Sequence, residues 1–367
     1  MKKTLFAAAL ASVALAGCVK NEAEIVQNAD SKITFAAPLV SSITRVYTGE
    51  ITNPYPDTEK FVVFAKLHSG DYNAWRDGSW YMGSETEGVE VKYNPDANIK
   101  GWTPDIDYYW PKNGKLTFYA YSPADYETWK PLISDGQMKS SEVTIPNDTH
   151  NVDLLYSELA KNKIANDNTN GNNVTPPTPG TVGSTEYNGV ELKFKHALSS
   201  IKFKVKLSRD YENAEIVLKS IVLKNVSSKG NFSWNINSET ATPQWGLPSE
   251  PLEYTLVSNS SQIINSTESE PVDNAASMIL LPQRLTSVVA SVTYTIKDGA
   301  GQTREFTTDI DLNTLKHGSQ DNAEWILGKR YIYTITFSLQ TIIFDPTVSD
   351  WDNVEVVYPN PSTSAAA

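Results

Sequence analysis

Apolar residues recur at every second position in one segment of this chain after another, and past the first 17 residues no stretch keeps a helical spacing. A period of two puts alternate side chains on opposite faces of a strand, whereas a surface helix needs an apolar stripe every 3.6 residues. Val288, Ala290, Val292, Tyr294 and Ile296 alternate with Val289, Ser291, Thr293 and Thr295. A loop built on Asp298-Gly299 follows, and then Arg304, Phe306, Thr308, Ile310 and Leu312 alternate with Glu305, Thr307 and Asp309. That is a hairpin by pattern and by turn chemistry. Leu116, Phe118 and Ala120 alternate with Thr117, Tyr119 and Tyr121; Tyr331, Tyr333, Ile335, Phe337 and Leu339 make another half-buried strand; Lys60–Ala65 is a compact buried one. The expected fold is all-β, built as sandwiches.

The amino terminus obeys a different logic. Lys2 and Lys3 precede an apolar run, Leu5–Leu15, too short to span a bilayer as a stable helix. The run closes on Leu15-Ala16-Gly17-Cys18, which resembles the lipobox of bacterial lipoprotein signal peptides. The resemblance implies removal of residues 1–17 and lipidation at Cys18, leaving an outer-membrane lipoprotein held by its acyl chains. Cys18 is the only cysteine, so the mature body has no disulfide and depends on packing. A formal net charge of −12 argues against nucleic acid as a partner.

The chain beyond this signal is too long for one ordinary core and suits two domains. Residues 18–32 read as a polar tether, 33–188 as an amino-terminal β-sandwich and 189–367 as a carboxy-terminal one. The boundary falls after Lys161–Gly189, a stretch crowded with Asn, Gly, Thr and Pro. In Leu192–Leu207 the apolar residues sit on even positions and then, from Ile201, on odd ones. Within one strand that change implies a bulge near Ser199-Ser200.

No catalytic constellation is evident. The four histidines (His68, His150, His196, His317) form no i,i+4 pair, and no HExxH, GxSxG, phosphate loop or GxGxxG occurs. Asn166–Gly171 imitates the start of a calcium loop, but has Asn for the first Asp and Pro177 for the closing Glu, so it reads as a polar loop. No enzyme activity, cofactor or metal is expected, and His196 reads as a structural hydrogen-bonder near the domain junction. The aromatic clusters Trp75/Trp80/Tyr81 and Trp102/Tyr108-Tyr109-Trp110/Phe118-Tyr119 read as core and sheet face. The alternative is an anchored, monomeric glycan-binding lipoprotein that would need such rings exposed.

Both ends of the body carry strand signals. Ile33, Phe35, Ala37, Leu39 and Ile43 share one parity, and Pro38 cannot donate to a ladder, which points to an edge strand. Burying five such side chains at ~1.5–3 kcal/mol each would give roughly 8–15 kcal/mol gross. Arg45-Val46 comes next, before a polar, Pro-containing loop; such a junction suits a trypsin-like protease, but the local residues alone read as an ordinary surface arginine. At the other end Trp351 precedes Val354, Val356 and Tyr358 on one face, then a polar tail, Pro359–Ala367. An alternating terminal strand with no later partner suits β-strand addition.

The order of several motifs resembles the fimbrillins, subunits of type V pili of Gram-negative bacteria. These are the lipobox, Ile33-Thr34-Phe35 through Thr44-Arg45, Tyr108-Tyr109-Trp110-Pro111, Phe118–Pro123, Val152-Asp153-Leu154-Leu155-Tyr156, Leu192–Leu198, Leu327–Thr334 and Val348-Ser349-Asp350-Trp351. The resemblance implies two transthyretin-like sandwiches and a role in a fimbrium serving adhesion. It implies that an arginine-specific protease cuts at Arg45-Val46, releasing the first strand (Ile33, Phe35, Ala37, Leu39, Ile43). The vacated groove would then take the carboxy-terminal strand (Trp351, Val354, Val356, Tyr358) of another fimbrial subunit, head to tail.

Overall fold

The structure is a computed structural model and describes residues 32–40, 51, 55–96, 101–147, 152–165, 173–174, 189–238, 240–271, 277–315, 323–340 and 342–351. Cys18, Ile43, Arg45, Val46, Val354, Val356 and Tyr358 lie outside the described residues, as do His150, His317 and the loop 166–171.

In chain order the first strands are β1 (Leu39–Val40), β2 (Lys60–His68), β3 (Ser79–Met82), β4 (Val89–Asn94), β5 (Gly101–Pro104), β6 (Lys115–Ser122), β7 (Pro131–Ser134) and β8 (Gln137–Thr144). Then come β9 (Leu155–Ser157), β10 (Ala160–Ala165), β11 (Asn173–Val174), β12 (Lys193–His196), β13 (Ser199–Leu207), β14 (Ala214–Asn235), β15 (Gln244–Trp245) and β16 (Ser249–Val257). The last are β17 (Ser277–Leu280), β18 (Gln283–Arg284), β19 (Val289–Asp298), β20 (Thr303–Asp311), β21 (Glu324–Trp325), β22 (Lys329–Phe337) and β23 (Ile342–Asp350). Only three single-turn 3₁₀ helices interrupt them among the described residues.

The first sheet runs β1-β12-β9-β6-β2-β4-β5. Its central strands are apolar on both parities because both faces are covered. Phe61, Val63 and Ala65 of β2 and Leu116, Phe118 and Ala120 of β6 enter an inner cluster. Val62, Phe64, Tyr119 and Tyr121 face a second, larger cluster that continues through β7, β8 and β14 into the carboxy-terminal strands.

β3, β10 and β11 attach to the first sheet and β18 pairs with β21, while most other strands make two facing sheets: β20-β19-β14-β8-β7, with β15 and β16 also on β14, and β17-β13-β22-β23. Ile201, Phe203 and Val205 of β13 and Tyr331, Tyr333, Ile335 and Phe337 of β22 fill the space between them, together with Ala290, Val292 and Tyr294 of β19. Tyr294 and Phe337 meet edge to face at 5.2 Å across the sheets. The β19–β20 hairpin has the expected strands, paired from Val289↔Asp311 to Lys297↔Thr303. Its turn is held by Asp298 Oδ1, which accepts from the N–H groups of Ala300 and Gln302 at 3.0 and 2.9 Å.

Leu192–Leu207 departs from the expected single bulged strand. β12 pairs antiparallel with β9 in the first sheet, whereas β13 pairs parallel with β22 in another. The chain changes sheets at Ala197-Leu198, so the parity change marks a crossing between cores instead of a bulge. The first sheet accordingly reaches past residue 189. β14 is the second departure: its 22 residues pair with β19 and β16 over the first part and with β8 over Lys229–Asn235, so one strand serves both halves.

Candidate assembly site

Residues 32–40 form a seam. On one side Ile33 N–H donates to Tyr108 O at 2.7 Å, and Phe35 and Trp102 exchange backbone bonds of 2.9 and 3.4 Å. On the other side Val190 N–H donates to Thr34 O (2.9 Å), Ala36 N–H to Val190 O (3.1 Å) and Leu39 N–H to Leu192 O (3.0 Å). β1 then continues as a parallel partner of β12, Leu39 opposite Lys193. The segment therefore joins the two ends of the first sheet, β5 and β12, where Pro38 suggested an outer edge. Pro38 is tolerated because the donors that matter are Ala36 and Leu39, on either side of it.

The side chains also depart from one continuous face. Ile33 and Phe35 are fully buried, but Ala37 is exposed and Leu39 half-buried, while Pro38 and Val40 turn inward. The phase slips at Ala36–Pro38, where the segment leaves β5 for β12. Gly189 permits this close passage: a Cβ there would lie 2.4 Å from Phe35 C and 2.5 Å from Ala36 N. At the amino end Lys32 pairs with Asp107 at 2.6 Å.

Phe35 is the principal plug. Its ring meets Phe61 at 5.7 Å and Phe118 at 5.8 Å, edge to face in both cases. Trp102, Trp110, Tyr55 and Phe194 line the same cluster. Tyr55 shares a 2.7 Å hydrogen bond with Ser122 Oγ, and burial pushes its phenol well above the ordinary range. The rings that might have formed a glycan platform are thus mostly core: Trp75, Trp102, Trp110, Phe118 and Tyr119 are all buried. Trp80 is half-buried, beneath the Lys66 ammonium at 4.4 Å.

At the other end β23 pairs with β22 along its length, Phe337↔Ile342 to Lys329↔Asp350, and has no further neighbour among the described residues. It runs through Pro346, which an edge strand accepts. No side chain described in β23 is fully buried, and Ile343 is 61% exposed. Trp351, grouped with the tail in the sequence, is instead a core residue with 0% exposure.

His196 stacks on Trp351 and pairs with Asp153; all three are buried. Nothing in the sequence singled out Asp153, although it lies in the Val152–Tyr156 motif. Among the described residues no group of three or more His, Cys, Asp or Glu could hold a metal ion. No helix among them is long and apolar enough to cross a membrane.

A β-body closed by its own amino-terminal segment, with an edge strand at the opposite end, defines a self-complemented sandwich protein. The profile described as fimbrillin-like matches residues 44–351, and the chain belongs to that family of fimbrial subunits. Among solved structures, a fimbrial protein from Bacteroides vulgatus is similar at 14% identity, covering 88% of this chain and 99% of that one with a TM-score of 0.51. The tip fimbrial protein Mfa3 from Porphyromonas gingivalis, truncated at its carboxy terminus, is 10% identical, covering 87% of this chain and 100% of that one with a TM-score of 0.37. At 14% identity the likeness to the Bacteroides vulgatus protein concerns fold alone. No curated protein matches this chain in sequence.

Proposed function

We propose that this protein is a structural subunit of an adhesive surface fimbria, and that it polymerises by exchanging its first strand for the last strand of a neighbour. The precursor is lipidated at Cys18 and held at the outer membrane. An arginine-specific protease cuts between Arg45 and Val46. Residues 33–45 leave, and the slot between β5 and β12 receives Val354, Val356 and Tyr358 of the next subunit.

One observation carries this reading: residues 32–40 are bonded on both sides and plug an aromatic core with Ile33 and Phe35. Their departure would leave two open strand edges flanking an apolar trough, and only another strand satisfies both. Ile33, Phe35 and Val40, at ~1.5–3 kcal/mol each, make the apolar gain of filling the slot roughly 5–9 kcal/mol gross. That is less than five buried side chains would give. Each ladder bond adds a net ~0.5–1.5 kcal/mol. While the resident strand stays covalently attached, its millimolar-order effective concentration excludes a strand from another molecule. Cutting removes that advantage and releases the body from its lipid in the same step. The contact is head to tail and propagates as a filament.

The test is Arg45→Ala. The variant should remain a lipidated precursor that forms no polymer, whereas the wild-type surface form should begin at Val46 on amino-terminal sequencing. Polymer ladders persisting in the variant would sink the proposal.

A further inference from the structure

Strand exchange makes no use of the buried, hydrogen-bonded pair Asp153–His196. Neither side chain has any exposure, and His196 Nδ1 lies 3.0 and 2.9 Å from the two carboxylate oxygens of Asp153. A carboxylate only accepts, so this ring nitrogen carries a proton and donates it. A buried carboxylate needs further donors, and Asp153 Oδ2 takes one from the backbone N–H of Ile51 at 3.0 Å. On its flat side the His196 ring lies against the indole of Trp351, with centroids 3.7 Å apart and planes 4° from parallel. Trp351 is fixed in turn by its own backbone N–H, donated to Gly328 O at 2.9 Å, and Gly328 N–H donates to Leu198 O, also at 2.9 Å. The Arg330 guanidinium stands 5.9 Å from the same indole.

Four residues far apart in sequence thus meet at one dry point. Two of them border the ends that matter for assembly. Ile51 comes closely after the Arg45-Val46 junction, and Trp351 directly precedes the tail that carries Val354, Val356 and Tyr358. A buried polar pair of this kind is a poor stabiliser, because desolvation cancels most of its attraction and an apolar pair of the same shape often does as well. It supplies instead a fixed direction for each hydrogen bond. We propose that Asp153, His196 and Trp351 form a positioning clamp that ties Ile51 to Trp351, the described residues nearest the proposed cut and the proposed donor tail. The importance of the clamp for assembly rests on the strand-exchange reading; its existence as a coupling does not.

Two measurements separate these. The first is amide hydrogen exchange on the full chain. Trp351→Leu should speed exchange at the Ile51 N–H by about 5- to 150-fold, the range of ordinary coupling between sites. Asp153→Asn should do the same at the Trp351 N–H, since coupling is reciprocal. The Val292 N–H of β19 serves as reference and should stay as in wild type, showing that the variants fold. Trp351→Phe keeps a flat ring on His196 and should restore most of the protection. Wild-type exchange at Ile51 in Trp351→Leu overturns the clamp. The second measurement is polymer length after complete cleavage at Arg45 in His196→Gln, which should be shortened. Ladders equal to wild type overturn the assembly role. A wild-type protein that is cut but never polymerises rejects strand exchange instead, and leaves the exchange result standing.

Discussion

Residues 32–40 and 342–350 are the first and last extended segments among the described residues, yet they are held in opposite ways. The first is bonded on two sides and drives Ile33 and Phe35 into an aromatic cluster. The second is bonded, among the described residues, along β22 alone, and buries none of its described side chains completely. The lesson is a division of labour by attachment. A strand closed in from both flanks cannot leave by fraying and needs a cut in the chain, whereas an edge strand can peel without disturbing a core. In the proposed assembly the removable element is the tightly held one, and the donating tail hangs from the loosely held one.

Substitutions in either strand would break or sharpen that contrast. The largest effect belongs to Phe35→Ala, which empties the space between Phe61 and Phe118 and should cost about 3–5 kcal/mol of precursor stability by urea unfolding. Next is Gly189→Ala, whose added carbon meets the backbone of Phe35 and Ala36; overpacking of this kind costs about 1–3 kcal/mol. Limited proteolysis should show residues 32–40 loosened and β23 unchanged. Equal loosening of both strands would erase the distinction. Val348→Ala, on half-buried β23, should cost less than about 1 kcal/mol in the same unfolding assay.

The smallest effects are electrostatic and opposite in sign. Burial, and then the nearby Asp125 and Asp153 carboxylates, raise the Glu59 carboxyl above its ordinary value of 4.5. Its contribution is therefore full at low pH and is lost as pH rises through the raised value. Glu268 is lowered from 4.5 by its hydrogen bond to Lys204, so its contribution holds above that value and is lost as pH falls. The Lys204–Glu268 pair is largely exposed and is worth only ~0.2–1 kcal/mol. Thermal melts between about pH 3.5 and 6 should lose the high-pH decline in Glu59→Gln and the low-pH decline in Glu268→Gln. The same slope in both variants would refute the assignment.

How much was legible in the sequence depends on what parity can report. Alternation reveals which side of a strand is apolar, and it located β6, β22 and the β19–β20 hairpin, while β2 stood out as a continuous apolar run. It does not reveal which sheet a strand joins. Ile201 therefore suggested a bulge where the chain in fact crosses to another core, and Ala37 and Leu39 were grouped with Phe35 although the phase slips at Pro38. Trp351 reads as part of the tail because only Asp350 and Ser349 precede it closely, and its burial depends on His196, far away in the chain. The length of β14 was hidden for a related reason. Its register shifts, between Leu218 and Ser220, Ile221 and Val222, Leu223 and Val226, and Asn231 and Ser233, break the period that would have announced one strand.

β14 has a mechanical consequence. Because a single strand is laddered to β19 and β16 near one end and to β8 near the other, a pull along its axis cannot separate the halves of the subunit by opening bonds one at a time. The Lys229–Asn235 ladder on β8 is loaded in shear, its bonds resisting together. A thread made of such units would carry tension through continuous covalent backbone inside every link, leaving the junctions between links as the places where it gives.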